Sequence, residues 1–137
     1  MIRAVYDTNV FISSIFWSGN PRKCIWLARR RWISLAVSQP ILDEIKEKLR
    51  FKFFFTLHES RLIIEDIKTY AEVVSPKFSL HIVQDDPDDD KFLECAMEFQ
   101  AEYIVSGDKH LISLGSYQGI LIVNPRRFIE IYKLQNL

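Results

Sequence analysis

The sequence predicts an α/β protein in which a central parallel five-stranded sheet lies between two helical layers, a three-layer α/β/α sandwich formed by one domain over residues 1–137. Three observations predict it. Five short, apolar, β-prone runs occur along the chain with amphipathic helical patterns between them, and that alternation builds a parallel sheet covered on both faces. The strand runs are largely apolar from end to end, as buried parallel strands are. A length of 137 residues, 48% hydrophobic, supplies one sizeable core and not two.

The elements follow in order. "IRAVY", residues 2–6, is a strand that ends at Asp7. "NVFISSIFW" and "PRKCIWLARR" are helical and are divided by the turn signal Ser18, Gly19, Asn20. "WISLAVS", residues 32–38, is the second strand; Ser38 then N-caps a helix with Pro40 in its first turn and an apolar stripe of Ile41, Leu42, Ile45 and Leu49. "ESRLIIEDIKTYAEVV", residues 59–74, is a helix closed by the breaker Ser75, Pro76. "LHIV", residues 80–83, is the third strand, "DKFLECAMEF" a helix, "AEYIVS", residues 101–106, the fourth strand, "GILIV", residues 119–123, the fifth, and "PRRFIEIYKL" the last helix.

Composition narrows the function. Eighteen Lys and Arg balance eighteen Asp and Glu, so any site for a polyanion must be local. Cys24 and Cys95 lie far apart among apolar neighbours and read as core residues, not as a zinc or redox pair. His58, His81 and His110 show neither metal-ligand spacing nor a nearby nucleophile motif, which argues against a serine or cysteine hydrolase. No apolar stretch approaches the ~20 residues of a membrane span, so the expectation is a soluble, cytoplasmic protein without a membrane partner.

In open parallel sheets ligands bind beyond the carboxyl ends of the strands. There the chain offers Asp7 after the first strand, Glu44 about a turn into the helix after the second, the run Asp85 to Asp90 after the third, and Asp108 after the fourth. Four separate segments thus deliver carboxylates to one edge, which favours a hard divalent cation with oxygen ligands. Each acid also has a plain structural use. Asp7 can cap the next helix, Glu44 can pair with Lys48 at i, i+4, and Asp108 can start a turn. Asp43 points away from the apolar stripe while Glu44 borders it, so Glu44 is the better candidate. The aspartate run fails the calcium-loop pattern, with Lys91 at the glycine position and Met97 at the closing glutamate. It reads as a helix start, where the dipole favours negative charge.

"YDTNVFIS", "VSQPILDEI", "DPDDDKFLECAMEFQAEYIVSGDKHLISL" and "GILIVNPRRFI" together resemble PIN-domain proteins, especially the group described as toxin components of toxin–antitoxin systems, over nearly the whole chain. The resemblance implies a PIN-like five-stranded parallel sheet and a ribonuclease dependent on Mg²⁺ or Mn²⁺. Position by position it assigns the acids to Asp7, Glu44, Asp90 and Asp108, with Asp89 the rival for the third, and it gives Asn9 and Ser106 a role in supporting the metal site or the scissile phosphate. Ser106 stands where such families usually carry threonine and keeps the hydroxyl. Two divalent ions roughly 4 Å apart activate a water on one side of a phosphodiester and stabilise the leaving oxygen on the other. Implied partners are an RNA substrate and an antitoxin protein.

Further surfaces remain open to two readings. Arg22, Lys23, Arg29, Arg30 and Arg31 around Trp26 and Trp32 suit single-stranded RNA, or a helix C-terminus packed on the core. Lys91 and Lys109, beside the acids, are better placed to meet a phosphate. "FKFFF", residues 51–55, is either core or an apolar patch for a homodimer or an antitoxin. Two other functions compete: a phosphatase or phosphotransferase with Asp7 as nucleophile, disfavoured because Asn9 stands where a proton-transferring acid is wanted, and a catalytically silent binding module, disfavoured because four mutually repelling carboxylates then have no purpose.

Overall fold

The computed structural model describes residues 1–77, 79 and 89–137. The elements run β1 (Arg3–Tyr6), α1 (Thr8–Phe16), α2 (Asn20–Arg29), β2 (Ser34–Ser38), α3 (Gln39–Phe51), α4 (Leu57–Tyr70), β3 (Ala71–Val74), α5 (Asp90–Phe99), β4 (Tyr103–Val105), α6 (Lys109–Leu114), β5 (Ser116–Tyr117), β6 (Ile120–Val123) and α7 (Pro125–Gln135). They form one sheet in the order β3-β2-β1-β4-β6-β5. The neighbours from β3 to β6 pair in parallel, and the two-residue β5 joins β6 antiparallel at the edge.

The parallel α/β/α architecture holds, with two differences in its parts. Among the described residues the sheet has six strands, with β5 added at its edge where five were expected. The parallel strand beside β2 is Ala71–Val74, which periodicity assigns to the end of a helix; the expected third strand at residues 80–83 lies outside the described residues, as do Asp85, Asp86 and Asp88. Helix α4 stops at Tyr70 because Ala71 swings to φ −122°, ψ 137° and starts pairing with Leu35 at once. Val73 and Val74 favour that extended state, since β-branched side chains lose rotamer freedom in a helix.

Strand alternation shows how the two helical layers divide. Arg3 faces α5, its guanidinium lying 3.9 Å from the centre of the Phe99 ring. Tyr6, three residues on and so on the opposite face, meets Phe11 of α1 and Phe128 of α7 at ring separations of 6.0 and 5.9 Å, and its hydroxyl donates to the Cys24 carbonyl of α2 at 2.8 Å. Helices α1, α2 and α7 therefore cover one face and α5 the other. Ala4, Val5, Leu35, Ala36, Val37, Ile104 and Val105 are buried between them. Both cysteines are buried and unpaired, as expected of core residues.

From β1 the chain builds outward through β2 and β3, then returns to add β4 and β6 on the other side. The reversal of direction between β1 and β4 opens a crevice at the carboxyl ends of these two strands. Asp7 follows β1 there and Ser106 follows β4, and the Asp7 N–H donates to the Val105 carbonyl at 3.0 Å across the gap.

Candidate active site

Asp7 enters the crevice because it must both leave β1 and start α1. As N-cap, at φ −73° and ψ 166°, it accepts the Val10 N–H on Oδ1 at 3.0 Å. Its Oδ2 accepts a hydrogen bond from the Ser106 hydroxyl. That hydroxyl oxygen in turn accepts the Asp108 N–H at 2.9 Å, so one serine ties the end of β1 to the start of the next loop. Asp108 caps α6, its Oδ1 accepting the N–H groups of His110 at 2.7 Å and Leu111 at 3.3 Å. Both acids thus serve as caps and also face the crevice.

Glu44 arrives from α3, bordering the helix's buried stripe of Ile41, Leu42, Ile45 and Leu49, and reaches the cleft that Asp7 lines. Ser38 sits at the N-cap of α3, but its side chain makes no capping bond. Lys91, from the first turn of α5, pairs with Glu44, and Lys48 lies 4.0 Å from the same carboxylate. Lys48 also donates to the Asn9 Oδ1 at 3.5 Å. The Asp89–Asp90 pair at the start of α5 is buried, at 8% and 5% exposure.

Asp7, Thr8, Asn9, Glu44, Lys48, Asp89, Phe92 and Asp108 line one cleft of about 170 Å³. The structure therefore brings Asp7, Glu44, Asp108 and Asn9 together. Ser106 is wholly buried beneath them. At the third acidic position it is Asp89 that lines the cleft, while Asp90 is buried in the first turn of α5. Sequence spacing did not single out Thr8 or Lys48 as site residues. Thr8 could be found from its place between Asp7 and Asn9, and Lys48 from its i, i+4 spacing to Glu44.

Charge and burial set the state of these acids. Burial raises the Asp7 carboxyl above its ordinary range, and the nearby Asp108 adds to it; hydrogen bonds from Ser106, Val10 and Gly107 pull the other way without cancelling the effect. Burial pushes Glu44 up as well, but the Lys91 ion pair, helped by the Thr8 hydroxyl and Lys48, outweighs it and holds the carboxyl below its usual value. Among the described residues no three His, Cys, Asp or Glu side chains stand close enough to grip one ion; Glu44 is turned onto Lys91. The acids of the cleft suit a hard divalent cation, because carboxylate oxygens are the ligands such ions prefer.

The arginine and tryptophan segment lies apart from this cleft and is engaged internally. Arg29 pairs with Asp66 at 3.0 Å, Arg31 donates to the Thr69 carbonyl at 2.8 Å, Arg30 covers the Trp26 ring at 4.2 Å, and Trp32 stacks on Tyr132. The phenylalanine run divides. Phe53 and Phe55 pack around Phe16, whereas Phe51 and Phe54 are 69% and 85% exposed.

Comparison with known proteins agrees with this geometry. The family model described as PIN domain matches residues 3–110. No curated protein sequence matches the chain. Among solved structures, one chain in the crystal structure of VapBC2 from Rickettsia felis, bound to a DNA fragment from their promoter, matches with a TM-score of 0.65 at 12% identity, over 90% of this chain and 98% of that one. At that identity the likeness is one of fold.

Proposed function

The chain belongs to the PIN-domain family, and from that premise we propose that it is a divalent-metal-dependent ribonuclease acting as the toxin of a toxin–antitoxin pair. The observation that carries the enzymatic reading is the convergence of Asp7, Glu44, Asp89 and Asp108 from four separate elements on one cleft. The toxin role draws its support from the likeness to a chain of VapBC2.

Four carboxylates facing one cleft repel a phosphodiester, so the cleft needs compensating positive charge before it can take substrate. Asp7, Glu44, Asp89 and Asp108 would hold Mg²⁺ or Mn²⁺, with Asp89 preferred over Asp90 because it lines the cleft. When bound, such an ion supplies a nucleophile at neutral pH and stabilises the leaving oxygen. Ser106 keeps Asp7 aimed into the cleft by holding Oδ2. Lys91 and Lys48 neutralise Glu44, and Lys48 also lines the cleft, where its ammonium can meet a phosphate. Asn9 holds Lys48 at the rim and cannot transfer a proton, which weighs against an aspartate-nucleophile phosphatase.

Labelled single-stranded RNA incubated with Mg²⁺ or Mn²⁺ tests the reading. The wild type should cleave it, and Asp7→Asn should lose about 100-fold or more of that activity. Equal cleavage by both proteins, or none by either across varied RNAs, would sink the nuclease. Phosphate release from small esters that depends on Asp7, without RNA cleavage, would favour the phosphatase. Growth arrest on expression, spared by Asp7→Asn, tests the toxin role.

A further inference from the structure

A second groove, of about 530 Å³, adjoins the acidic cleft and shares Glu44 and Lys48 with it. Its wall is the outer face of α3, continued by Lys91 of α5. Helical spacing arranges that face in two rows. Glu44, Lys48 and Lys52 follow one another at intervals of four on the side of the cleft. Asp43 and Glu47 run along the other side, and Phe51 continues their row at the same interval, beside Lys48 and Lys52. Phe51 is 69% exposed although it is a large aromatic, and the Arg50 guanidinium sits 5.1 Å from its ring centre.

We propose that this groove is the track for a single-stranded RNA leaving the cleft, with Lys48, Lys52 and Lys91 meeting its phosphates and the Phe51 ring stacking on a base. The assignment rests on the ribonuclease reading for the identity of the strand. A backbone threaded through the cleft can leave past Glu44 and Lys48, because both the cleft and the groove include them. Lysines on one edge attract its phosphates and carboxylates on the other repel them, so the charge pattern gives the strand a side as well as a path. An exposed aromatic beside a basic row is the combination that binds single strands without base-specific hydrogen bonds, because every base has a face to stack. The expected preference is therefore for strand length over sequence.

The test is fluorescence anisotropy of a labelled twelve-nucleotide RNA with Mg²⁺ present, in the Asp7→Asn background so that binding is read without cleavage, adding Phe51→Ala, Phe51→Leu or Lys52→Gln. Both Phe51 variants should weaken binding about ten-fold, since leucine keeps the apolar bulk but lacks the ring face. Lys52→Gln should weaken it about three-fold or more and lessen its dependence on salt. With Asp7 intact and Mn²⁺ present, the ratio of kcat/KM for the twelve-mer to that for a two-nucleotide substrate should fall by the same factors. Affinities within two-fold of the Asp7→Asn parent, or a Phe51→Leu that binds as that parent does, would overturn the track. So would a change of oligomeric state in Phe51→Ala with RNA binding intact, because Phe51 would then belong to a protein interface. Strand binding that depends on Phe51 in a protein that cuts no RNA would keep the track and defeat the ribonuclease. RNA cleavage that is indifferent to Phe51 and Lys52 would do the reverse.

Discussion

Asp7 is asked to cap a helix and to stay charged in a place that disfavours charge. Its carboxyl lies above the ordinary range mainly through burial. A carboxyl that holds its proton more tightly in the native state stabilises the fold fully below the unfolded value of 3.8, and this contribution is lost as pH rises through the native value. In the metal-free protein at neutral pH, ionised Asp7 therefore weakens the fold. Asp7→Asn, which keeps a capping oxygen for Val10, should raise the melting temperature in EDTA at pH 7 by roughly 2–4 °C, and the gain should shrink as the pH is lowered toward 4. Thermal denaturation across that range is the measurement, and a lower melting temperature for the variant at pH 7 would refute the argument. The sequence made Asp7, Glu44 and Asp108 legible because each sits at or just beyond a strand end, where the sheet rule alone directs attention. Choosing between Asp89 and Asp90 needed more. Asp89 occupies the N-cap with αR angles, φ −77° and ψ −12°, so the phase of the first turn decides which neighbour faces the cleft, and composition does not carry that phase. The Lys91–Glu44 pair joins residues 47 apart, beyond any local spacing rule.

At the scale of elements, α4 is the best defined by its own chemistry. Thr56 accepts the Glu59 N–H at 3.0 Å, and the Glu59 carboxylate accepts the Thr56 N–H at 2.8 Å, a reciprocal cap. Thr56→Ala should cost about 1 kcal/mol, or about 4 °C in melting temperature, with Thr56→Ser restoring most of it. An unchanged melting temperature in Thr56→Ala would mean that the cap contributes nothing. The box is visible in the sequence as Thr56 and Glu59 three residues apart, so the start of α4 was available to be read. Its end was not. Periodicity carries the helix on to residue 74, and no glycine or proline separates Tyr70 from Ala71; one residue is both C-cap and first strand residue. Pairing with β2 decides the matter, and that contact is tertiary. By contrast the span of α5, Asp90–Phe99, follows directly from its pattern, because Phe92, Leu93, Cys95, Ala96 and Phe99 all meet the core.

For the molecule as a whole, zero net charge predicts how nucleic acid binds it. With Lys48, Lys52 and Lys91 as the phosphate contacts, the logarithm of affinity for single-stranded RNA should fall against the logarithm of salt with a slope of about −2. Titration of binding at several salt concentrations gives the slope directly, and a value steeper than about −4 would require the arginines of α2 as well. The order of the strands has a last consequence, for the making of the protein. Ser106 and Asp7 lie 99 residues apart in the chain, yet they share one hydrogen bond. A ribosome delivers Asp7 near the beginning and Ser106 only when most of the chain is out. Until β4 takes its place beside β1, a growing polypeptide presents its first aspartate with no partner across the gap. The cleft is thus assembled late in synthesis, and an interrupted translation product ending before Ser106 lacks one of its walls.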